Sequence, residues 1–366
     1  MTTLTTGDLQ RRIDELRASP AYENYQFARD VVLGMKETAA QEALKTGEPS
    51  EYWQEELAGF EYMLDASPLI VEKLRHHCYH VTGIKVYDYR THKDRGHEML
   101  AQKLDSLVEV AGGRDLLVPE SRELGGFGFD IDGELYNVDT LKFFEVLIAL
   151  DKGAVLGGFR ESDERRVVME IGAGWGGFPH QFKTLFPNTT YVIVDLPELF
   201  LFSATYLKTL FPDARIAFAD GSQDLTDEWL EADFVFVPHT RLAEVTPPRL
   251  DLTINMVSFQ EMTTEQVEGY VRHAAEQGSS YLYSLNRERS LYNPELSGVH
   301  GIIERYFWPH QVEVLPVAYT TMIDKSKVAK AKKKVKAVKE GVAPTARSEK
   351  AAMDYKHVIG WPRLTG

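Results

Sequence analysis

Apolar and polar residues alternate along the first third of the chain at the spacing of an α-helix. Leucine and isoleucine recur every three or four residues between Gly7 and Pro20, where the proline ends the pattern. The same spacing returns from Glu51 to Leu64 and from Ser67 to Val81, and Gly83 follows the last segment as a helix stop. The N-terminal region is therefore predicted to be mostly helical.

Between residues 113 and 158 the pattern changes to that of a short hairpin followed by a helix. Apolar residues alternate from Phe127 to Ile131, and the turn dipeptide Asp132-Gly133 follows them. A helical pattern then runs from about Val138 to Leu150. This segment is interpreted either as a plain connection or as a part that closes over a ligand site.

From Arg165 onward, apolar runs of strand length alternate with helical patterns. Such alternation is typical of a doubly wound α/β fold with a parallel sheet. In chain order ARIAFADG is interpreted as the third strand, ADFVFVP as an extra strand-like piece and DLTINMVSF as the fourth parallel strand. The predicted strands are VVM (from Val167), TYVIVDLP (from Thr190), ARIAFADG (from Ala214), ADFVFVP (from Ala232), DLTINMVSF (from Asp251), SSYLYSLN (from Ser279), VEVLPVAYTT (from Val312) and YKHVIGW (from Tyr355).

The first of these strands runs into a glycine-rich turn, VVMEIGAGWGGF, which predicts a strand, a ligand-holding loop and a helix. Gly172, Gly174 and Gly177 fit the dinucleotide pattern G-x-G-x-x-G. With Gly176 in place of Gly177, the same turn fits the tighter G-x-G-x-G of enzymes that bind S-adenosyl-L-methionine (SAM). The glycines alone leave both ligands open, as well as a turn without a ligand.

Glu170 favours SAM. A carboxylate two residues before Gly172 can reach the methionine end of SAM or the N-terminus of the following helix. The same carboxylate is unfavourable next to a dinucleotide, since the pyrophosphate is already negative.

Composition and charge exclude several classes of protein. The net charge of −14 disfavours nucleic acid and anionic membranes as partners, although the stretch from Lys325 to Glu340 holds eight lysines and one acid. No apolar run reaches the length that spans a bilayer, and the N-terminus lacks a signal-peptide pattern, so a cytoplasmic protein is expected. The single Cys78 excludes an intramolecular disulfide and a multi-cysteine zinc site.

A group of histidines invites a metal interpretation that the spacing does not complete. His76 and His80 lie one turn apart if the segment is helical, with His77 and Cys78 between them. No third ligand follows at a recognisable interval, so no metal is predicted.

EIGAGWGGF, VDLPELF and LTINMVSFQEMT together resemble the class I SAM-dependent methyltransferases. The motifs are similar in sequence to those of the sugar O-methyltransferases associated with polyketide-sugar biosynthesis, and the similarity extends from about Val167 to Asn286. The resemblance implies a Rossmann-like α/β sheet, parallel with an antiparallel C-terminal strand and preceded by a mostly helical region. It also implies SAM as cofactor and a sugar or glycoside as small-molecule acceptor.

Two domains are expected in a chain of 366 residues. Residues 1–160 are predicted to form the helical part that shapes the acceptor site. Residues 161–366 are predicted to form the SAM-binding domain, with the lysine-rich stretch as an insertion at about 325–350. A homo-oligomer is compatible with the sequence.

The resemblance also implies roles at the carboxyl ends of the strands. Asp195, at the end of the second strand, would hold the ribose hydroxyls, and Asp220, at the end of the third, would hold the adenine amino group. Gly221 would let the chain pass close to the ring, and helix capping is the alternative for each acid. The implied cofactor-binding residues are Glu170, Gly172, Ala173, Gly174, Gly176, Asp195, Leu196, Asp220, Gly221 and Ser258.

The catalytic base is less evident, because plant-type O-methyltransferases have a His-Asp pair where this sequence has Gln260-Glu261. Glu261 is the nearest ionisable candidate, with helix capping as its alternative. His300, beyond the fifth strand, is the histidine alternative unless it is merely exposed. Asn286 and Arg287 are candidates to bind substrate hydroxyls or a nucleotide-sugar phosphate, and a surface ion pair is the other interpretation.

Two other functions stay open at this point. An NAD(P)-dependent oxidoreductase would use the same glycine loop, although Glu170 and Asp220 argue against it. A non-catalytic binding protein on a methyltransferase fold is suggested by the lysine-rich stretch and the missing histidine base.

Overall fold

The computed structural model describes residues 5–42, 51–161, 163–219, 229–288, 296, 298–315 and 354–363. Asp220, Gly221 and the lysine-rich insertion at 325–350 lie outside the described residues.

The helices confirm the predicted helical N-terminal region and the helices that separate the strands. No described helix is both long and apolar enough to cross a lipid bilayer. The helices are α1 (Thr6–Arg17), α2 (Pro20–Glu42), α3 (Glu51–Gly59), α4 (Pro68–Val71), α5 (Leu74–His77), α6 (Tyr79–Thr82), α7 (Asp94–Ala111), α8 (Val138–Lys152), α9 (Gly157–Glu161), α10 (Gly177–Leu185), α11 (Phe200–Leu210), α12 (Thr264–Glu276) and α13 (Val299–Tyr306).

The strands also follow the sequence pattern in most cases. They are β1 (Phe129–Ile131), β2 (Glu134–Tyr136), β3 (Arg166–Ile171), β4 (Thr189–Asp195), β5 (Ile216–Phe218), β6 (Phe234–Pro238), β7 (Leu252–Met256), β8 (Leu282–Asn286), β9 (Phe307–Val312) and β10 (Lys356–Pro362).

The chain divides into two compact units, each assembled from three separate segments. Unit 1 comprises Met1–Asp88, Glu120–Gly128 and Arg165–Pro248. Unit 2 comprises Tyr89–Pro119, Phe129–Glu164 and Arg249–Gly366.

The helices of unit 1 depart from prediction at two places, the first being the helix predicted from Glu51 to Leu64, which ends at Gly59 and is followed by a 3-10 helix (Glu61–Asp65). The single helix predicted from Ser67 to Val81 is three short helices, α4, α5 and α6, the last of which ends at Gly83 in a left-handed conformation (φ 69°). Arg75 lies in the middle one, with its side chain buried against Glu120 at 2.6 Å. An unbroken amphipathic helix would instead place its charged residues on the solvent side.

The strands of unit 1 are all parallel, in the order β5-β6-β4-β3. ADFVFVP, the extra strand-like piece, forms strand β6 and pairs directly with β4. β5 pairs with the other edge of β6, so ARIAFADG is not the neighbour of β4. The order suits the side chains, since all five residues of β6 are buried whereas β5 is short and only partly covered.

The hairpin and helix of unit 2 confirm the prediction for residues 127–150. β1 and β2 are antiparallel, and the turn residues Asp132 and Gly133 both have left-handed φ values, of 56° and 89°. The next helix, α8, begins with a capping box in which the side chains of Asn137 and Thr140 each accept from the other's backbone N–H.

The second group of strands mixes the two directions, in the order β7-β8-β10-β9. β7 and β8 are parallel, and β10 is antiparallel to both β8 and β9. β9 ends at Val312, where the predicted strand was expected to begin. The predicted fold class is confirmed: α/β and Rossmann-like, with an antiparallel C-terminal strand and a helical N-terminal region.

Candidate functional site

The glycine loop of unit 1 follows β3 and needs glycine at three positions. Gly172, Gly174 and Gly176 have φ values of 76°, 59° and 86°, a region that residues with a Cβ rarely enter. Gly177 is the first residue of α10 and needs no such freedom. The backbone therefore uses the tighter of the two glycine patterns.

The loop is also packed too closely for side chains at two of these glycines. A Cβ on Gly174 would lie 2.8 Å from Cγ1 of Val81, and one on Gly176 would lie 3.2 Å from Cα of Ser203. Gly176, the N-cap of α10, has no side chain that could accept from the backbone N–H groups of the first helical turn. Such N–H groups are suited to bind an anionic or polar group of a ligand.

Trp175 anchors the same loop on a buried cation. The guanidinium carbon of Arg75 lies 3.4 Å from the centroid of the Trp175 ring, and Arg75 pairs with Glu120 where both side chains are 1% exposed. Sequence reasoning missed Arg75. The available signal was its spacing, four residues after buried Val71 and three before buried Cys78.

Asp195, at the end of β4, contacts the glycine loop. Its Oδ2 accepts a hydrogen bond from the backbone N–H of Gly174 and its Oδ1 from that of Leu196, both at 2.8 Å. Burial raises the pKa of Asp195 to about 7, although these two hydrogen bonds oppose the rise. Ala173 contributes its carbonyl, which accepts from Gly176 N–H at 3.2 Å.

Glu170 lies just before the loop, inside the sheet. Its carboxylate accepts a hydrogen bond of 2.8 Å from the hydroxyl of Tyr191 on β4. Burial, together with the charge of Glu170, raises the pKa of Tyr191 well above its ordinary value, so the hydroxyl stays a donor. A role of Glu170 toward the methionine end of SAM stays a prediction.

In unit 2 the backbone is strained immediately after β7. Val257 has φ 64°, which is unfavourable for a β-branched residue. The buried amide of Asn255 holds the turn, because its Nδ2 donates to Ser258 Oγ at 2.5 Å and its Oδ1 accepts from Phe259 N–H at 3.1 Å. Backbone strain of this kind is concentrated at functional sites.

Two buried side-chain oxygens lie in the loops after β7 and β8. Gln260 donates from Nε2 to the Tyr355 hydroxyl at 3.0 Å, and Asn286 donates from Nδ2 to Asn255 Oδ1 at 2.8 Å. The Gln260 Oε1 and Asn286 Oδ1 atoms are shielded and have no hydrogen bond to the described residues. The guanidinium carbon of Arg287 lies 4.4 Å from the Tyr355 ring centroid, which holds these groups in one cluster.

His300 lies at the start of α13 and is paired with a carboxylate that the sequence did not single out. Its Nδ1 contacts Glu288, which also accepts from the His300 backbone N–H at 3.2 Å and lies 3.3 Å from Lys356 Nζ. Burial alone would raise the pKa of Glu288, but the hydrogen bond and charge of His300 outweigh it and lower the pKa to about 2. The imidazole is half-buried.

Glu261 ends a short 3-10 turn (Phe259–Glu261) and is half-buried, with its backbone N–H donating to Ser258 O at 3.0 Å. The cap of α12 is Thr263, in a capping box with Gln266. The residue that caps this helix is therefore not Glu261.

The histidines of α5 and α6 pack with aromatic rings. The Tyr62 hydroxyl lies 2.6 Å from His77 Nδ1, and His76 packs edge-on against Phe127. Within the described ranges, no group of three or more His, Cys, Asp or Glu side chains is arranged to hold a metal ion.

No family model and no curated protein matches this chain. Among solved structures it is similar to the pyocyanin biosynthetic protein PhzM, at 12% identity and a TM-score of 0.33, over 59% of this chain and 57% of PhzM. It is also similar to the N-methyltransferase NodS from Bradyrhizobium japonicum WM9, at 10% identity and a TM-score of 0.34, over 62% of this chain and 97% of NodS.

A third similar structure is phosphoethanolamine N-methyltransferase 2 from Haemonchus contortus, solved in complex with SAM. The identity is 12% and the TM-score 0.33, over 76% of this chain and 60% of that enzyme. None of these three proteins is named for a sugar.

Proposed function

We propose that this chain is a SAM-dependent methyltransferase that methylates a hydroxyl group of a small molecule, with a sugar or glycoside as the acceptor class. The observation that carries the proposal is the position of the Asp195 carboxylate, which faces the glycine loop through the N–H of Gly174. A carboxylate is suited to accept hydrogen bonds from the two hydroxyls of a ribose. The glycines leave room for the rest of the cofactor.

The residues of the glycine loop in unit 1 fit SAM better than a dinucleotide. The third glycine with a left-handed backbone is Gly176, as in the tighter pattern, and the acid Glu170 stands at the approach to the loop. When bound, SAM supplies a methyl group that is already activated, so the protein need only align the acceptor and remove its proton.

Unit 2 supplies a base for a hydroxyl acceptor in this proposal. With its Nδ1–H donated to Glu288, the neutral His300 ring has a lone pair on Nε2 that can take the hydroxyl proton. The Glu288 carboxylate, which also lies 3.3 Å from Lys356 Nζ, is placed to stabilise the imidazolium that forms. Glu261, in the loop after β7, is kept as the rival base.

The acceptor class follows from the two buried oxygens of the same unit. Gln260 Oε1 and Asn286 Oδ1 are hydrogen-bond acceptors, and both lack a donor among the described residues. A molecule with several hydroxyls would provide such donors. This supports a sugar or glycoside over an apolar phenol.

The cofactor is tested by denaturing the purified protein and identifying the small molecules that it releases. Calorimetry with SAM and with NADH then compares the two candidates directly. We expect saturable binding of SAM and none of NADH. Binding of NADH alone would reverse the assignment.

The acceptor is tested with SAM that carries an isotopic methyl label. A panel of nucleotide-sugars, glycosides and amino sugars is incubated with the protein, and mass spectrometry locates the label in each product. We expect label on oxygen in a sugar hydroxyl. Label confined to nitrogen would contradict the hydroxyl acceptor while leaving the cofactor unaffected.

A further inference from the structure

The strand order of unit 1 changes which residue follows the neighbour of β4. The resemblance implies Asp220 for the adenine amino group because it ends the strand ARIAFADG. That strand, β5, is separated from β4 by β6, and the register pairs Asp195 of β4 with Pro238 at the end of β6. The residue that follows the strand next to Asp195 is therefore His239.

The His239 ring has unused hydrogen-bonding capacity. The residue begins a short 3-10 turn (His239–Glu244), and both ring nitrogens are shielded from solvent. Neither nitrogen makes a hydrogen bond of good geometry to the described residues, but the backbone carbonyl of Asp195 lies close enough to accept from one of them. Buried polar atoms normally have a partner, so the other ring nitrogen calls for a ligand.

The surroundings keep this imidazole neutral. Burial lowers the pKa of His239, against the opposing effects of the Glu198 charge and the backbone carbonyl of Asp195. Glu198 is itself paired with Lys36, which reduces the effect of the Glu198 charge on the pKa of His239. A neutral imidazole offers one donor and one acceptor nitrogen.

We infer that His239 binds the adenine of SAM, with one ring nitrogen accepting a hydrogen bond from the amino group of the base. This inference rests on the proposed function. The proposed cofactor extends from its methionine end at the loop after β3 to its ribose at Asp195, after β4. Its next part is the base, and the next strand in the order is β6, about 4.8 Å further along the edge.

The test uses S-adenosylhomocysteine and its inosine analogue, in which a carbonyl replaces the amino group. Calorimetry on the full chain should show that the unmodified protein prefers the adenine compound by about tenfold, because the analogue lacks the donor. His239→Ala should lose about tenfold in affinity for the adenine compound and little for the analogue. His239→Gln, which keeps an acceptor atom, should recover part of the loss.

A matched control is His273→Ala on α12. Its Nε2 is also shielded without a hydrogen bond to described residues, and burial likewise lowers its pKa. This variant should bind both compounds as the unmodified protein does. Circular dichroism establishes that each variant is folded, and His239→Gln carries the test should the alanine variant fail to fold.

The outcomes separate the inference from the proposed function. If the unmodified protein binds neither compound, the proposed function fails. If it binds S-adenosylhomocysteine but does not discriminate against the analogue, or if His239→Ala retains the full preference, the role of His239 is overturned.

Discussion

The carboxyl ends of the strands carry polar groups in both units, but the two sets are held differently. In unit 1 the Asp195 carboxylate is bound by backbone N–H groups, and the loop beside it is held by glycine dihedrals and by Trp175 on a buried cation. In unit 2 the side chains of Asn255, Asn286 and Gln260 are held mainly by other side chains.

This difference bears on what each set can do. Groups held by the backbone have their geometry before a ligand arrives, as a cofactor used in every turnover requires. Groups held by side chains keep free acceptor atoms, such as Gln260 Oε1, and can adjust to the hydroxyls of an acceptor. The proposed roles of the two units follow this division.

The largest effect is expected from the buried cation of unit 1. Arg75→Ala should lower the free energy of unfolding by about 3–5 kcal/mol, because it removes the buried cation that pairs with the buried Glu120 carboxylate. Removing both partners should recover part of that loss. Urea denaturation measures each value.

The matched control for this prediction is Arg215→Ala in the same unit. Arg215 pairs with Glu231 at the surface, where both side chains are more than half exposed. Its loss should cost no more than about 1 kcal/mol. Equal losses for Arg75 and Arg215 would contradict the anchoring of the loop by a buried ion pair.

The next effect concerns catalysis in unit 2. With the acceptor found in the labelling screen, His300→Asn should lower turnover on the order of 100-fold while the affinity for SAM is kept. Glu288→Gln should lower turnover as well, since it removes the group that orients the ring. Glu261→Gln serves as the comparison and should keep near-normal turnover; the reverse pattern would make Glu261 the base.

A smaller effect is expected from the protonation of Asp195. In the proposed complex, hydrogen bonds from the ribose hydroxyls would favour the ionised carboxylate, whose pKa is raised to about 7 in the unliganded protein. The affinity for S-adenosylhomocysteine should therefore rise about tenfold between pH 6 and pH 8. Calorimetry at several pH values checks this, and Asp195→Asn should abolish the dependence.

The unliganded protein should show the opposite trend with pH. Folding raises the pKa of Asp195 above its ordinary value of 3.8, so the folded state holds its proton more tightly than the unfolded state. The favourable contribution is full below the ordinary pKa and is lost as the pH rises through about 7. An Asp195 variant whose stability followed the same pH profile as the unmodified protein would show that another group is responsible.

The smallest effect concerns the strained turn of unit 2. Val257→Gly should change the free energy of unfolding by about 1 kcal/mol or less, with a gain expected, because glycine adopts φ 64° without strain. Val267→Gly, at a buried position inside α12, should instead destabilise by more than about 2 kcal/mol. A comparable loss at both positions would show that Val257 is not strained.

Local patterns predicted most of the secondary structure and the nature of the loop in unit 1. The glycines at 172, 174 and 176 could be predicted from the sequence because the backbone at each position has a positive φ that favours glycine. The position of Asp195 could also be predicted locally, since it ends a strongly apolar strand two residues before a proline. The hairpin turn at Asp132-Gly133 and the helix after it depend on equally local chemistry.

The order of the strands could not be predicted from local sequence in this way. β5 and β6 are both short apolar runs, and nothing within either run tells which one pairs with β4. The choice depends on burial on both faces, which β6 has along its whole length and β5 lacks at one residue. The proposed adenine contact of His239, in place of Asp220, rests on that order together with the shielded nitrogens of the His239 ring.

The sequence by itself determined that this chain has an α/β fold with a glycine loop and an acid at the end of the following strand, because these features depend on residues close together in the chain. Only the tertiary structure decided which polar groups are partners. Arg75 and Glu120 are 45 residues apart, and Gln260 and Tyr355 are 95 apart. Such pairs form because burial removes water from a charge or an amide, which then needs a partner within the protein. The tertiary packing decides which residue is close enough to be that partner.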